Sequence, residues 1–425
     1  MTTLLISLGI FLILGIPIAY SLGLSSFLYF VIYHPELLPI LPQRLYSGMD
    51  SYAMVALPLF VLMGLLMNEG GITKRLIDFS LIFVGRLRGG LGAVNVLASM
   101  IFGGISGSSV SDTASIGAVL IPEMTKKGYT PQFASGITVA SSTMGMIIPP
   151  SVPMVIYAFV SGASVGKLFL GGVFPGLIIG FLMLGITLMI SQWRKYPKEE
   201  VTLTKREVFN RIERAILALI MPIFVVGAVV IGIATATESA GIGALYAFVV
   251  GYFIFRGVNL KIIPSLLKTS ISTSAQVMII IALSKLYIWI LVIEHIPQAV
   301  ASFVSGFDLP VFFILLVISV IILITGTFVD VSPAILLLTP VFLPAVTSLG
   351  VSSIQFGVIL ITGLAIGLVT PPVGMCLNVA SAISKLGIGT IFRAAMPFSL
   401  ANVITLILIT LIPPITMWLP SVLME

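Results

Sequence analysis

Long apolar runs fill the chain, separated by short polar stretches or by Gly and Pro. Runs of this length predict membrane-spanning helices over 3–17, 18–33, 51–69, 131–163, 168–192, 212–232, 235–256, 266–293, 353–385 and 393–418. Two further runs, 91–127 and 309–345, behave differently. Each carries a Gly/Ser/Asp or Gly/Thr/Asp interruption near its middle and turns back without a long polar loop. They are read as re-entrant hairpins that enter and leave on one side. The expected fold is an all-α polytopic membrane protein.

Composition supports this. Of 425 residues, 58% are apolar and 8% are charged, against about 25% charged in an ordinary soluble domain. Mean hydropathy is +1.21. So few charges cannot wet a globule of this size, which excludes a soluble enzyme, a nucleic-acid binder and a disordered chain. The net charge of +6 has no basic block to track a phosphate backbone and is a topology signal. One cysteine, Cys376, excludes an internal disulfide, and two histidines, His34 and His295, are too few for a metal centre. Only Na⁺ is expected as a metal, with no transition metal and no organic cofactor. The N-terminus has no basic region and no small-residue cleavage site, so no signal peptide is expected.

Placing the N-terminus outside puts 18 Lys and Arg on the inner side against two, Arg44 and Lys167, on the outer side, with Lys285 inside a span. The positive-inside rule favours this arrangement. It predicts outer termini, and it places the second hairpin on the outer side after the 294–310 segment, with Glu294 and Asp308. Residues 72–89 look amphipathic and are expected to lie along the inner interface as an arm helix.

An internal repeat is the strongest signal. Shifting the sequence by 222 residues aligns Gly104 with Gly326, Pro122 with Pro344, and Gly128 with Gly350. Gly145 meets Gly367, Pro149-Pro150 meet Pro371-Pro372, and Pro175 meets Pro397. Chance would match about two such positions; seven match. Two halves of five spans plus one hairpin, joined by the linker 193–211, must have opposite orientation. That is an inverted-topology repeat, a plan common among secondary transporters.

Two motif pairs carry the candidate chemistry. At the hairpin tips lie Gly103-Gly104-Ile105-Ser106-Gly107-Ser108-Ser109-Val110-Ser111-Asp112 and Gly326-Thr327-Phe328-Val329-Asp330-Val331-Ser332-Pro333. Polar, Gly-rich backbone at membrane depth belongs where protein encloses a cavity, and an intramembrane carboxylate points to a functional site. Small-residue helix packing and a capping Asp are the bland alternatives. The second pair is Ser141 to Pro150 and Gly363 to Pro372, each ending in Pro-Pro. A double Pro removes two donors and breaks the span, freeing carbonyls before it and amides after it. The carbonyls suit a cation and the amides an anion.

The sodium candidates are therefore Ser106, Gly107, Ser108, Gly145, Ile148, Pro149, Gly326, Thr327, Gly367, Val369 and Thr370. The substrate candidates are Ser108, Ser109, Asp112, Pro150, Ser151, Asp330 and Pro372. Lys285 either attracts an anion or snorkels to the outer interface. Thr237 is expected to cap the helix that Glu238 opens.

Gly85-Arg86-Leu87-Arg88-Gly89-Gly90-Leu91-Gly92 leading into Phe102 to Ser108, Ile148-Pro149-Pro150-Ser151 and Val369-Thr370-Pro371-Pro372 together resemble the large membrane subunit of tripartite ATP-independent periplasmic (TRAP) transporters. Thr237-Glu238-Ser239-Ala240 resembles the family's Thr-Glu-Ala-Ala stretch, with Ser239 as a departure. The resemblance covers essentially the whole chain, with wording most similar to the sialic-acid branch. It implies the elevator-type fold, Na⁺-coupled uptake of an organic acid, the bacterial inner membrane, a separate small membrane subunit of about four spans, and a periplasmic binding protein. By that logic 91–163 and 309–385 form the two halves of a mobile transport domain. Residues 1–90, 164–308 (with an outer arm) and 386–425 form the scaffold. A stand-alone Na⁺/carboxylate symporter of the same architecture is the alternative. A channel would not need paired hairpins and broken helices, and an intramembrane hydrolase lacks a nucleophile with its base.

Overall fold

The computed structural model describes residues 2–50, 52–198, 204–306 and 309–424. The expected Asp308 and part of the linker, 199–203, lie outside them. Helices α1 (Thr2–Ile13) and α2 (Ile18–Tyr33) reverse through Gly15, whose φ of +78° needs glycine. Thr3 Oγ1 meets Tyr33 Oη at 2.7 Å, so the two run antiparallel. A 3-10 turn (Pro35–Ile40) and α3 (Leu41–Met49) then lie between the second and third expected spans.

The first half continues with α4 (Ala56–Glu69), α5 (Ile72–Val84), α6 (Gly90–Ser106), α7 (Ser109–Lys126), α8 (Pro131–Ser142), α9 (Met144–Ile147), α10 (Val152–Ser161) and α11 (Val165–Trp193). The second half holds α12 (Lys205–Val230), α13 (Ala236–Val249, extended by a π-turn), α14 (Ile263–Ile293), α15 (Ile296–Ser305), α16 (Val311–Phe328), α17 (Val331–Ser348), α18 (Ser353–Leu368), α19 (Met375–Ser384), α20 (Ile388–Leu411) and α21 (Pro414–Leu423). No strand occurs among the described residues, only one bridge between Arg88 and Lys198. Among the described residues, seven helices are long and apolar enough to cross a bilayer, and up to nine spans result if each of two sharply bent pairs counts as one.

The 222-residue shift holds helix by helix. It carries the start and end of α7 onto those of α17, and the start of α8 onto that of α18. The amphipathic arm is α5, with Ile72, Leu76 and Ile77 buried. Its counterpart is α15 on the other half. Helix α5 packs on the first hairpin and α15 on the second. Helix α11 packs on α6, α9 and α18, and α20 packs on α8 and α18.

Three local expectations change. The span expected at 393–418 ends at Leu411, and a separate α21 starts beyond Pro413 and packs on α11. Pro413 and Pro414 cannot continue the hydrogen-bond ladder but suit a helix start. Helix α12 begins at Lys205, inside the expected linker, because Thr204 and Glu207 form a capping box ahead of the apolar run. Thr235, not Thr237, caps α13: its hydroxyl accepts from Glu238 N at 3.2 Å, and Glu238 Oε2 accepts from Thr235 N at 2.7 Å. Thr237 is buried in the first turn. The Thr-Xaa-Xaa-Glu spacing was legible and points to Thr235.

Candidate functional site

Each hairpin turns through two residues. In the first, α6 ends at Gly107 in the left-handed region (φ +61°), and Ser108 caps α7, its hydroxyl accepting from Ser111 N at 3.5 Å. In the second, Val329 ends α16 and Asp330 caps α17, with Oδ1 accepting from Val331 N at 2.8 Å. Ser108 and Asp330 are thus true counterparts under the repeat. The counterpart of Asp112 is Ala334, so the two acids belong to different positions of the motif.

Each hairpin closes on the broken helix of its own half through facing glycines. A Cβ on Gly103 would come within 3.0 Å of Gly145 Cα. A Cβ on Gly367 would meet Gly326 backbone atoms at 2.4–2.7 Å. Only hydrogen fits between these backbones, so the glycines set the distance between hairpin and break. Both Pro-Pro bonds, Pro149-Pro150 and Pro371-Pro372, are cis. Past the first, Ser151 caps α10: its hydroxyl donates to Met146 O at 2.6 Å and accepts from Met154 N at 3.4 Å. Past the second, Val373 N donates to Thr327 O at 3.3 Å, stitching the break to the hairpin, while before it Thr370 Oγ1 donates to Ile366 O of its own helix at 2.8 Å.

A cavity of about 380 Å³ lies where these parts meet the middles of α4 and α14. The first hairpin lends it Ser106 to Ser111, and the second lends Asp330, Val331 and Ser332. Val152 and Pro153 come from the start of α10, and Met375 from the start of α19. The facing wall is Val61 and Gly64 of α4 with Thr273, Ser274, Gln276 and Val277 of α14. No Lys or Arg lines it. Four helices, α7, α10, α17 and α19, present their N-terminal ends to this one space. Each N-terminus carries about half a positive charge and the amides that the caps Ser108, Ser151 and Asp330 leave over, so the cavity suits an anion without a cationic side chain.

Of the substrate candidates, Ser108, Ser109 and Asp330 line the cavity, whereas Asp112, Pro150, Ser151 and Pro372 do not. Asp112 lies fully buried behind the first tip. Ser106 Oγ donates to its Oδ1, while Oδ2 has no partner and faces Gly145, where an added Cβ would come within 2.2 Å. The sodium candidates divide by half. In the first half Ser106 and Gly145 meet the Asp112 carboxyl, with Ser108 beside Gly145, whereas Gly107 abuts Pro150 O and Val152, and Pro149 O lies 2.9 Å from a Cβ built on Gly104. Ile148 ends α9, and its side chain packs on Gly176 of α11. Gly326 and Thr327 line a second, small cavity of about 40 Å³ with Asp330, Val373 and Gly374. Gly367 backs it against Gly326, while Val369 and Thr370 close the end of α18. That space exceeds the roughly 10–15 Å³ that one water-sized occupant needs. Residues that sequence reasoning missed are the scaffold wall, Thr273, Ser274 and Gln276. They form a polar patch within an apolar helix, and that patch was the available signal.

Lys285 does not reach the cavity. Its Nζ lies 5.2 Å from the ring centroid of Phe159 on α10, and its stem covers Gly48 of α3. Among the described residues no group of three His, Cys, Asp or Glu side chains is placed to hold a metal ion.

The chain matches the family model described as tripartite ATP-independent periplasmic transporter, DctM component, over residues 5–415. It is 37% identical to the C4-dicarboxylate TRAP transporter large permease protein DctM of Pseudomonas aeruginosa, over 94% of each chain. It is 34% identical to the sialic acid TRAP transporter large permease protein SiaM of Vibrio cholerae, over 96% of this chain and 95% of that one. It is 35% identical to the 2,3-diketo-L-gulonate TRAP transporter large permease protein YiaN of Escherichia coli, over 94% of each. These relatives are transporter permeases, not enzymes, and their named substrates differ while their identities do not separate them. Among solved structures, the Alcanivorax borkumensis YdaH transporter shares the fold, with a TM-score of 0.60, 17% identity and 89% of each chain covered. With two inverted hairpin-and-break halves around one anion-suited cavity, and relatives matched along nearly its full length, this chain belongs to the DctM family as the large membrane permease of a TRAP transporter.

Proposed function

We propose that this permease carries a small organic acid inward, coupled to Na⁺, by an elevator movement. The convergence of four helix N-termini on the 380 Å³ cavity carries this reading. The volume falls within the roughly 300–1,000 Å³ range of small-molecule sites. A carboxylate would sit among the amides of α7 and α17, with Ser108, Ser109 and Ser332 as hydrogen-bond partners and Thr273 and Gln276 facing it.

Coupling follows from Asp330. Its carboxylate lines both the large cavity and the small one. An anionic substrate and this carboxylate repel each other in a low-dielectric site. A cation held by Asp330 with Gly326 and Thr327 would offset that repulsion, so substrate affinity would depend on Na⁺. The Oδ2 of Asp112, facing Gly145 with no protein partner, supports a second cation position in the first half. On this reading Asp112 moves from the substrate set to the ion set.

The moving block would be the two hairpins and broken helices, carried by the arms α5 and α15. Packing favours including α11 and α20 in it, since both lie on that block. Helices α4, α12, α13 and α14 would stay fixed. A small membrane subunit and a periplasmic binding protein complete the assembly in the inner membrane, with both termini of this chain on the periplasmic side.

The test is uptake into proteoliposomes holding this chain and its small subunit, with and without an inward Na⁺ gradient and the binding protein. Labelled sialic acid, succinate and diketogulonate are compared. Accumulation of one acid only with all components present is the expected result. Uptake without the binding protein would favour the stand-alone symporter, and downhill flux indifferent to Na⁺ would remove the coupling argument.

A further inference from the structure

Away from the transport site, a polar cavity of about 500 Å³ opens between α5, α12 and the end of α13. Arg75, Asn210, Glu213, Arg214 and Phe255 line it. Its level follows from α12: Arg214 is the last charge before the uncharged stretch 215–230, which puts the cavity where hydrocarbon gives way to headgroups. The distribution of Lys and Arg makes this the inner face.

Arg75 is held rigidly. Its Nη1 donates to Gly70 O at 3.0 Å and Gly71 O at 2.8 Å, closing the 67° bend between α4 and α5. Its guanidinium carbon lies 3.8 Å from the centroid of the Phe255 ring. Its Nε is buried and has no partner. Arg214 is near enough to repel it electrostatically, while the neighbouring Asp78 is 3.8 Å from Arg211. Two arginines lining one space, one of them fixed in place, form a site for a phosphate. The same space is lined by one carboxylate, Glu213, which a purely anionic headgroup would have to face unpaired. Exposed apolar side chains, Ile220 on α12 and Ile254 at the end of α13, lead from the cavity toward the hydrocarbon.

We propose that this cavity binds the headgroup of an ethanolamine phospholipid. The phosphate sits between the Arg75 guanidinium and Arg214, the ammonium pairs with Glu213, and the acyl chains run along Ile220 and Ile254. Every charged group lining the cavity then has a partner. Bound there, the lipid joins the arm helix α5 to the fixed helices α12 and α13 at the bend from which the arm springs.

Native mass spectrometry of the purified full-length protein tests this. Palmitoyl-oleoyl phosphatidylethanolamine, phosphatidylcholine, phosphatidylglycerol and inorganic phosphate are titrated in turn. The ethanolamine lipid should be retained at several-fold lower concentration than the other two lipids, and inorganic phosphate should not displace it. Arg214→Gln should weaken retention about ten-fold, the scale of one charge-assisted contact. Glu213→Gln should abolish the preference over phosphatidylcholine while leaving phosphate-dependent binding. Arg75→Gln also removes the bend contacts, so Arg214→Gln is the deciding variant. Equal retention of ethanolamine and choline lipids overturns the assignment. So does wild-type retention by Arg214→Gln, or displacement by millimolar phosphate, which would mark a soluble-anion site.

Discussion

The two hairpin tips start their second helices at matching positions, but they turn differently and carry different chemistry: Gly107 is left-handed (φ +61°) where its counterpart Val329 is extended (φ −117°). In the first half a serine caps the second helix, and the carboxylate, Asp112, lies one turn further on, sealed behind the tip. In the second half the cap itself is the carboxylate, Asp330, and it looks into the cavity. The repeat keeps glycines where hairpin and broken helix approach closely and double prolines where the helix breaks, because those residues set backbone geometry. It does not need matching acids, because each half meets different surroundings. The close approach and the break are duplicated, and the charge is divided between an enclosed position and an open one.

Leucine at the two facing glycines tests the comparison most severely. Gly145→Leu should abolish uptake, by more than about 100-fold, with the protein still inserted, since its Cβ meets a carboxylate that can swing aside. Gly367→Leu should abolish uptake and also lower the melting temperature sharply, because its Cβ meets Gly326 backbone that cannot move. Thermal unfolding of both variants in one detergent decides the matter, and equal stability losses would contradict the distinction.

Asp112→Asn should lower uptake about 100-fold and raise the Na⁺ concentration for half-maximal rate, with little change in substrate concentration dependence. A shift confined to substrate KM would return Asp112 to the substrate side. Asp330→Asn keeps an N-cap and should lower uptake about ten-fold, altering Na⁺ and substrate dependence together. Asp330→Ala should add about 1 kcal/mol of lost stability from the missing cap. If Asn restores full transport to the Ala variant, Asp330 is a cap alone. The smallest effect is expected from Ser108→Ala, which loses a long 3.5 Å cap bond. About 0.5 kcal/mol of stability and a roughly three-fold rise in substrate KM should follow, measured by the same uptake and melting assays.

Much of this architecture is legible in the chain. Gly104, Gly145, Pro149-Pro150 and their partners 222 residues on mark close approaches and breaks that no other residues tolerate as well, so they betray the repeat without an alignment. A helix start is less legible where an apolar run marks the boundary: Thr204 with Glu207 starts α12 at Lys205, ahead of the apolar residues expected from 212. The end of α20 was missed because Pro413-Pro414 lies inside an apolar run that masks the stop.

What the sequence determined by itself is therefore what depends on local chemistry. Composition demands lipid as solvent, double prolines demand broken helices, and repeated punctuation demands two inverted halves. The tertiary structure decided which residues share a space. Asp112 and Asp330 look alike in the sequence, each a lone acid beside a Gly-rich turn. Only packing sets Asp112 against Gly145 behind the tip and leaves Asp330 open to the cavity. Likewise Lys285 reads as a stray intramembrane charge until Phe159, from a distant helix, is brought beneath it. Backbone breaks are written over a few neighbouring residues, whereas a side chain's surroundings come from segments far apart in the chain.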